Sequence, residues 1–264
     1  MNSSRAITLA VVLVVLGATG LAGRRAAGPL WDRMQAREPA LDLKAVEGGL
    51  GQGLTLALLG GFRAIVADFL WLANNLAWEQ RDLVRSLNLI RLTTAVDPRP
   101  LYFWINGARM IAYDMPVWRT GEFAENRPAL ASAKQKRIDR EQAEIALGFL
   151  EEALRQHPGN PFLTLEMANI HLRRLGDVAR AAELYGAAAL LPGAPAYAAR
   201  IYAELLKRQG RDREALEWLK ALYPKLDPRN PYDLTDVVFE RIEELEEKLN
   251  VPRDSRYRNT KVVY

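Results

Sequence analysis

Hydrophobic residues first gather in one uncharged run, Ala6 to Gly23, AITLAVVLVVLGATGLAG, with Arg5 before it and Arg24 and Arg25 after it. Wound as a helix, such a run extends about 27 Å, close to the ~30 Å hydrocarbon core of a bilayer. The pattern therefore predicts a transmembrane anchor over residues 1–25 that meets lipid through residues 6–23. A cleaved signal peptide is the competing reading, since Ala18 and Gly20 offer a small-residue cleavage site. The length of the run and the arginine pair that stops it favour retention. Sidedness is divided. Arg24, Arg25, Arg33 and Arg37 outnumber Arg5, which by the positive-inside rule puts the body in the cytoplasm. Signal-anchor behaviour after a short leader exports the body, and the extracytoplasmic side is preferred here.

Beyond the anchor the periodicity is broken by Pro29, Pro39, Gly48, Gly49, Gly51 and Gly53, so Ala26 to Gly53 supports only brief helices. Residues 26–66 read as a membrane-proximal linker and helix. Leu54 to Trp78 has helical spacing loosened at Gly60-Gly61, and Arg63 and Asp68 confine its continuous apolar part to Leu54 through Phe62. That length is too short to span, which predicts a packed or interfacial helix. After Pro231, the residues Leu234, Val237, Val238, Ile242, Leu245 and Leu249 recur at helical spacing and predict a capping helix over 231–249. The basic stretch 250–264 reads as a flexible tail, with binding of a partner's surface or sheet edge as the alternative.

Between these segments small and turn residues repeat. Gly176 and Gly210, Ala181 and Ala215, and Pro158 and Pro192 each lie 34 residues apart. One period on three markers implies antiparallel helix pairs that bury their apolar faces by stacking. In this the chain resembles the tetratricopeptide-repeat family, membrane-anchored bacterial type. The motif-like residues are Gly176, Ala181, Tyr185 and Ala188 in one unit and Ala203, Gly210, Ala215, Leu219 and Pro228 in the next. A split unit uses Leu101 to Asp114 and the set Ala146, Leu150, Ala153 and Pro158, with an insertion near 115–137. A degenerate unit runs from Ala67 to Pro98, with Arg81-Asp82 at its turn, no turn glycine, and Ser86 in place of the small residue.

The resemblance implies an all-α fold, an N-terminal transmembrane helix followed by a right-handed tetratricopeptide-like solenoid over 67–230 with a C-terminal capping helix. It further implies a single-pass protein of the bacterial cell membrane that binds a protein or peptide partner, acting as an interaction scaffold or assembly factor. A permanent accessory subunit of a larger membrane complex is the alternative. First helices of such arrays line the concave side, which assigns partner contact to Trp71, Asn75 and Trp78; Tyr102, Asn106 and Arg109; Glu166 and Arg173; and Tyr197, Arg200, Glu204 and Lys207. Spacings of three and four keep each set on one helical face.

Composition narrows the chemistry. The 36 Lys and Arg against 32 Asp and Glu give a net charge of +4, with the two signs interspersed, so no nucleic-acid partner is expected. Cysteine is absent, which removes disulfides and thiolate sites. The two histidines, His157 and His171, lie in different helical contexts without a zinc-protease pattern and read as capping or surface residues. Without a phosphate loop, nucleophile elbow or metal cluster, the sequence predicts no enzyme activity and no cofactor; an enzyme with an unrecognised site is the remote alternative.

Overall fold

The computed structural model describes residues 61–120 and 128–259. The described residues form an all-α bundle. Its helices are α1 (Arg63–Glu79), α2 (Leu83–Val96), α3 (Leu101–Arg109), α4 (Met115–Thr120), α5 (Pro128–Gln156), α6 (Pro161–Ile170), α7 (Val178–Ala189), α8 (Ala196–Arg208), α9 (Asp212–Leu222) and α10 (Thr235–Lys248). Two π-helical stretches, Met110–Asp114 and His171–Leu175, continue α3 and α6. Most helices pack chiefly on their neighbours in the chain, while α3 packs more on α5 than on α2.

Local chemistry sets the boundaries. Asp82, Asn160 and Asp177 stand before α2, α6 and α7, and their side chains accept the N–H of Arg85, of Phe162 and Leu163, and of Arg180. These caps satisfy amides that a helix start leaves open. Pro161 occupies the first turn of α6, where no N–H is needed. The turns after α6 and α8 place Gly176 and Gly210 at φ 66° and 72°. At the corresponding turn after α1 the left-handed residue is Arg81, φ 55°. A side chain in that region costs about 1–2 kcal/mol, and glycine gives back part of the relief through its larger unfolded-state entropy. Arg81→Gly is therefore expected to stabilise the protein by about 0.5–1 kcal/mol, read as a higher urea midpoint with an unchanged slope.

Alanines let the C-terminal helices approach closely. Leu165, Ala168, Ala181, Ala182, Tyr185, Ala188, Ala198 and Leu205 form one core among α6, α7 and α8. Ala203, Leu206, Ala215, Leu216, Leu219, Val238, Ile242 and Leu245 form a second among α8, α9 and α10. At the other end, Phe62, Ile65, Phe69, Leu72 and Leu76 are exposed at helical spacing along α1, Phe69 at 68%.

The anchored solenoid expected from the sequence is corrected here. The apolar run 6–23 lies outside the described residues, and among the described residues no helix is long and apolar enough to cross a membrane. The transmembrane anchor, the lipid contact and the single-pass localisation therefore have no support in the structure. A clear tetratricopeptide solenoid is absent among the described residues as well. The described helices are unequal, from six residues in α4 to 29 in α5, and two carry π segments. The 34-residue spacing came from glycines and prolines, which report how turns are made and not how the intervening helices stack.

Candidate functional site: an aromatic cleft between α1 and α3

Four residues of the α1 sequence, Trp71, Asn75, Trp78 and Glu79, line a cleft of about 430 Å³ together with Tyr102, Asn106, Arg109, Met110 and Asp114. Trp71 is buried, meeting Tyr102 edge-on at 5.6 Å and Phe103 at 5.3 Å. Trp78 and Tyr102 remain 42% and 58% exposed, so indole and phenol surface is open to a ligand. The Trp78 indole packs edge-on against Trp118 at 6.4 Å, and its Nε1–H donates to Asp114 Oδ2 at 2.8 Å. Both contacts fix the ring's orientation.

Asp114 reaches this position because of how α3 ends. Four residues of α-helix turn through about 400°, so side chains four apart drift about 40° per step around the axis. The wider π turn of Met110–Asp114 rotates less per residue and swings Asp114 back toward the line of Asn106, so that Asn106, Met110 and Asp114 all reach the cleft. Pro116 has no N–H to donate to Ala112 and its ring would crowd that carbonyl in a continued α-helix, which the wider turn relieves. Asp114, Glu79 and Met110 were not assigned from the sequence; the one available signal was a proline two residues after a helical aspartate.

The polar groups are mostly acceptors. Asn106 spends its amide on the Tyr102 carbonyl at 2.9 Å, leaving its side-chain oxygen to accept. Asn75 and Glu79 stand exposed with no hydrogen-bond partner among the described residues. Arg109 donates through Nε and Nη2 to Glu166 Oε2 at 3.0 and 2.8 Å, and this hydrogen bond raises the arginine's pKa. Its charge is thus offset from behind the cleft.

Glu166, expected on an exposed stripe, is instead buried, its side chain 4% exposed. Burial of the phenols pushes Tyr113, Tyr185 and Tyr197 above the usual tyrosine range, Tyr185 to about 12, and the Glu166 charge adds to the rise in each. Tyr185 donates to Asn169 at 2.6 Å. Arg173 is exposed and acts on Tyr113 and Tyr185 only through its charge. Arg200, Glu204 and Lys207 lie elsewhere, lining a separate cleft beside α10. The twelve assigned residues therefore do not make one continuous groove: six line the aromatic cleft, Glu166 and Tyr197 surround its arginine, Arg173 lines neither cleft, and three serve the second cleft.

Neither histidine enters either cleft. His157 Nε2 lies 2.8 Å from the Pro98 carbonyl, which also accepts from Trp104 Nε1 at 2.8 Å. Burial lowers the pKa of His171, opposed by Asp177. Among the described residues no group of three or more His, Cys, Asp or Glu is placed to hold a metal ion.

No family model and no curated protein matches this chain. Membership of the tetratricopeptide family is therefore corrected, and with it the functions that depended on it, the membrane-anchored scaffold or assembly factor and the accessory subunit. The protein or peptide partner also falls, since it depended on a continuous concave groove that Glu166 and the separate second cleft interrupt.

Proposed function

We propose that this domain recognises a small organic cation in the cleft between α1 and α3, by binding and without turnover. The observation that carries this reading is the convergence of three aromatic side chains, Trp71, Trp78 and Tyr102, with Glu79 and Asp114 on one small cavity. Aromatic faces attract cations through the ring quadrupole. Carboxylates add a direct charge interaction, and Arg109 does not cancel it because Glu166 pairs with that arginine at 2.8 Å. The volume, about 430 Å³, suits a small molecule. Binding alone is favoured because Glu79 and Asp114 have no nucleophile or histidine beside them in the cleft.

Calorimetric titration with choline and with putrescine tests the reading. Binding is expected to weaken as salt rises, and the neutral analogue 3,3-dimethylbutan-1-ol is expected not to bind. Glu79→Gln and Asp114→Asn should each weaken the better probe by about tenfold. Equal affinity for the neutral analogue, or no change in either variant, would reject the assignment.

A further inference from the structure

The second cleft, about 380 Å³, lies between α8 and α10 with Leu219 of α9 in its lining. Its electrostatics differ from those of the first. Arg200 is half-buried and held through one nitrogen only: Nη1 donates to the backbone carbonyls of Tyr232 at 2.9 Å and Asp233 at 3.0 Å. The Nε and Nη2 edge of that guanidinium, the side that grips a carboxylate with two parallel hydrogen bonds, meets no acceptor among the described residues. Arg109 shows the same edge in use, on Glu166. Asp233 contributes its field to Arg200, but its carboxylate is spent on the Asp227 N–H at 2.7 Å and the Asn230 amide at 2.8 Å.

The other charges around the cleft pair among themselves. Lys207 is shared between Glu204 and Glu244 at 3.7 Å each, Arg208 stands 3.8 Å from Glu204, and Arg241 donates to Glu244 at 2.7 Å. Arg200 is left without an ion pair, Asp233 acting on it only through its field, beside an apolar lining of Ile201, Leu219, Val237 and Val238. A half-buried guanidinium with an open fork is suited to an anion, and an apolar lining beside it to an apolar body attached to that anion.

We infer that this cleft binds a medium-chain alkyl carboxylate, its head group on the Nε and Nη2 edge of Arg200 and its chain along Ile201, Leu219, Val237 and Val238. The site is independent of the cation-binding cleft, so Glu79→Gln should leave it unaffected.

Calorimetric titration with octanoate tests it, with octan-1-ol and acetate as probes that keep only the chain or only the head. Octanoate is expected to bind at least tenfold more tightly than either. Arg200→Gln and Arg200→Lys should each lose about tenfold to a hundredfold, the lysine because it cannot form the paired hydrogen bonds. Val237 is exposed, so Val237→Glu keeps the fold while setting a carboxylate against the ligand; it should weaken octanoate by a similar factor even where an Arg200 variant is too unstable to titrate. Octanol binding as tightly as octanoate, acetate binding as tightly as octanoate, or unchanged affinity in Val237→Glu would each overturn the proposal.

Discussion

Glu246→Ala is expected to lower the free energy of unfolding by about 2–3 kcal/mol, measured by urea denaturation. Glu246 sits on α10 and is fully buried. Its Oε1 accepts from Lys220 Nζ at 2.8 Å and from the Tyr257 N–H at 2.9 Å, tying α9 and the segment after α10 to one carboxylate. Removal leaves an ammonium and an amide without their acceptor. Breaking an enclosed pair costs about 3–5 kcal/mol, and the lower figure is expected here because Lys220 is 22% exposed and can turn to water. Glu246 Oε2 has no partner, so the native pair already carries a desolvation cost. The double replacement Lys220→Met with Glu246→Leu should therefore recover most of the loss. A single variant within 0.5 kcal/mol of the parent would show that the pair does not hold this end of the bundle.

Gly107→Val is expected to cost about 2–3 kcal/mol and to weaken cation binding along with stability. A Cβ at Gly107 would lie 2.7 Å from Ile90 Cγ2 and 3.1 Å from Phe149 Cε1. Ile90 is fully buried and branched at Cβ, and Phe149 is packed on Trp104 at 4.7 Å, so neither side chain has room to retreat. Alanine is the less informative substitution. Its gain of about 1 kcal/mol in helix propensity offsets much of the clash, whereas valine adds bulk with little such gain. Since α3 carries Tyr102, Asn106 and Arg109, pushing it away from α2 and α5 displaces one wall of the cleft. Retained stability in Gly107→Val would mean that α3 shifts without strain.

The two classes of residue that sequence pattern reads well are turn formers and periodic apolar positions. Gly176 and Gly210 took the left-handed geometry their turns need, and α3 begins at Leu101, where the first helix of the split unit was placed. Pro231 was expected to open the last helix, yet α10 starts at Thr235 after Leu234 adopts φ 49°, and Arg200 holds the Tyr232 and Asp233 carbonyls of the intervening turn. That bond spans 32 residues, and no local pattern reveals it. Glu166 shows the same limit, since helical spacing gives the face of a carboxylate but not the distant arginine that lets it be buried. The family resemblance failed for a related reason: its markers were turn and small residues, which many unrelated helix pairs share. Six of the assigned residues converge on one cleft because three- and four-residue spacing is a property of the helix itself, whichever larger fold contains it.

The cleft spans the seam where the α1–α2 hairpin meets the rest of the bundle. Those two helices pack far more extensively on each other than α2 packs on α3. What joins α1 to α3 is a short set of side chains, Trp71 on Tyr102 and Phe103, Asn74 on Met110, and Trp78 on Asp114. Segments joined by few contacts open as cooperative units well below the global unfolding energy, so the amides of the hairpin should exchange with deuterium sooner than those of α6 to α9. A cation lodged between α1 and α3 bonds only the closed form and slows that exchange in proportion to its occupancy. The amino-terminal hairpin then becomes a reporter whose protection rises with ligand concentration.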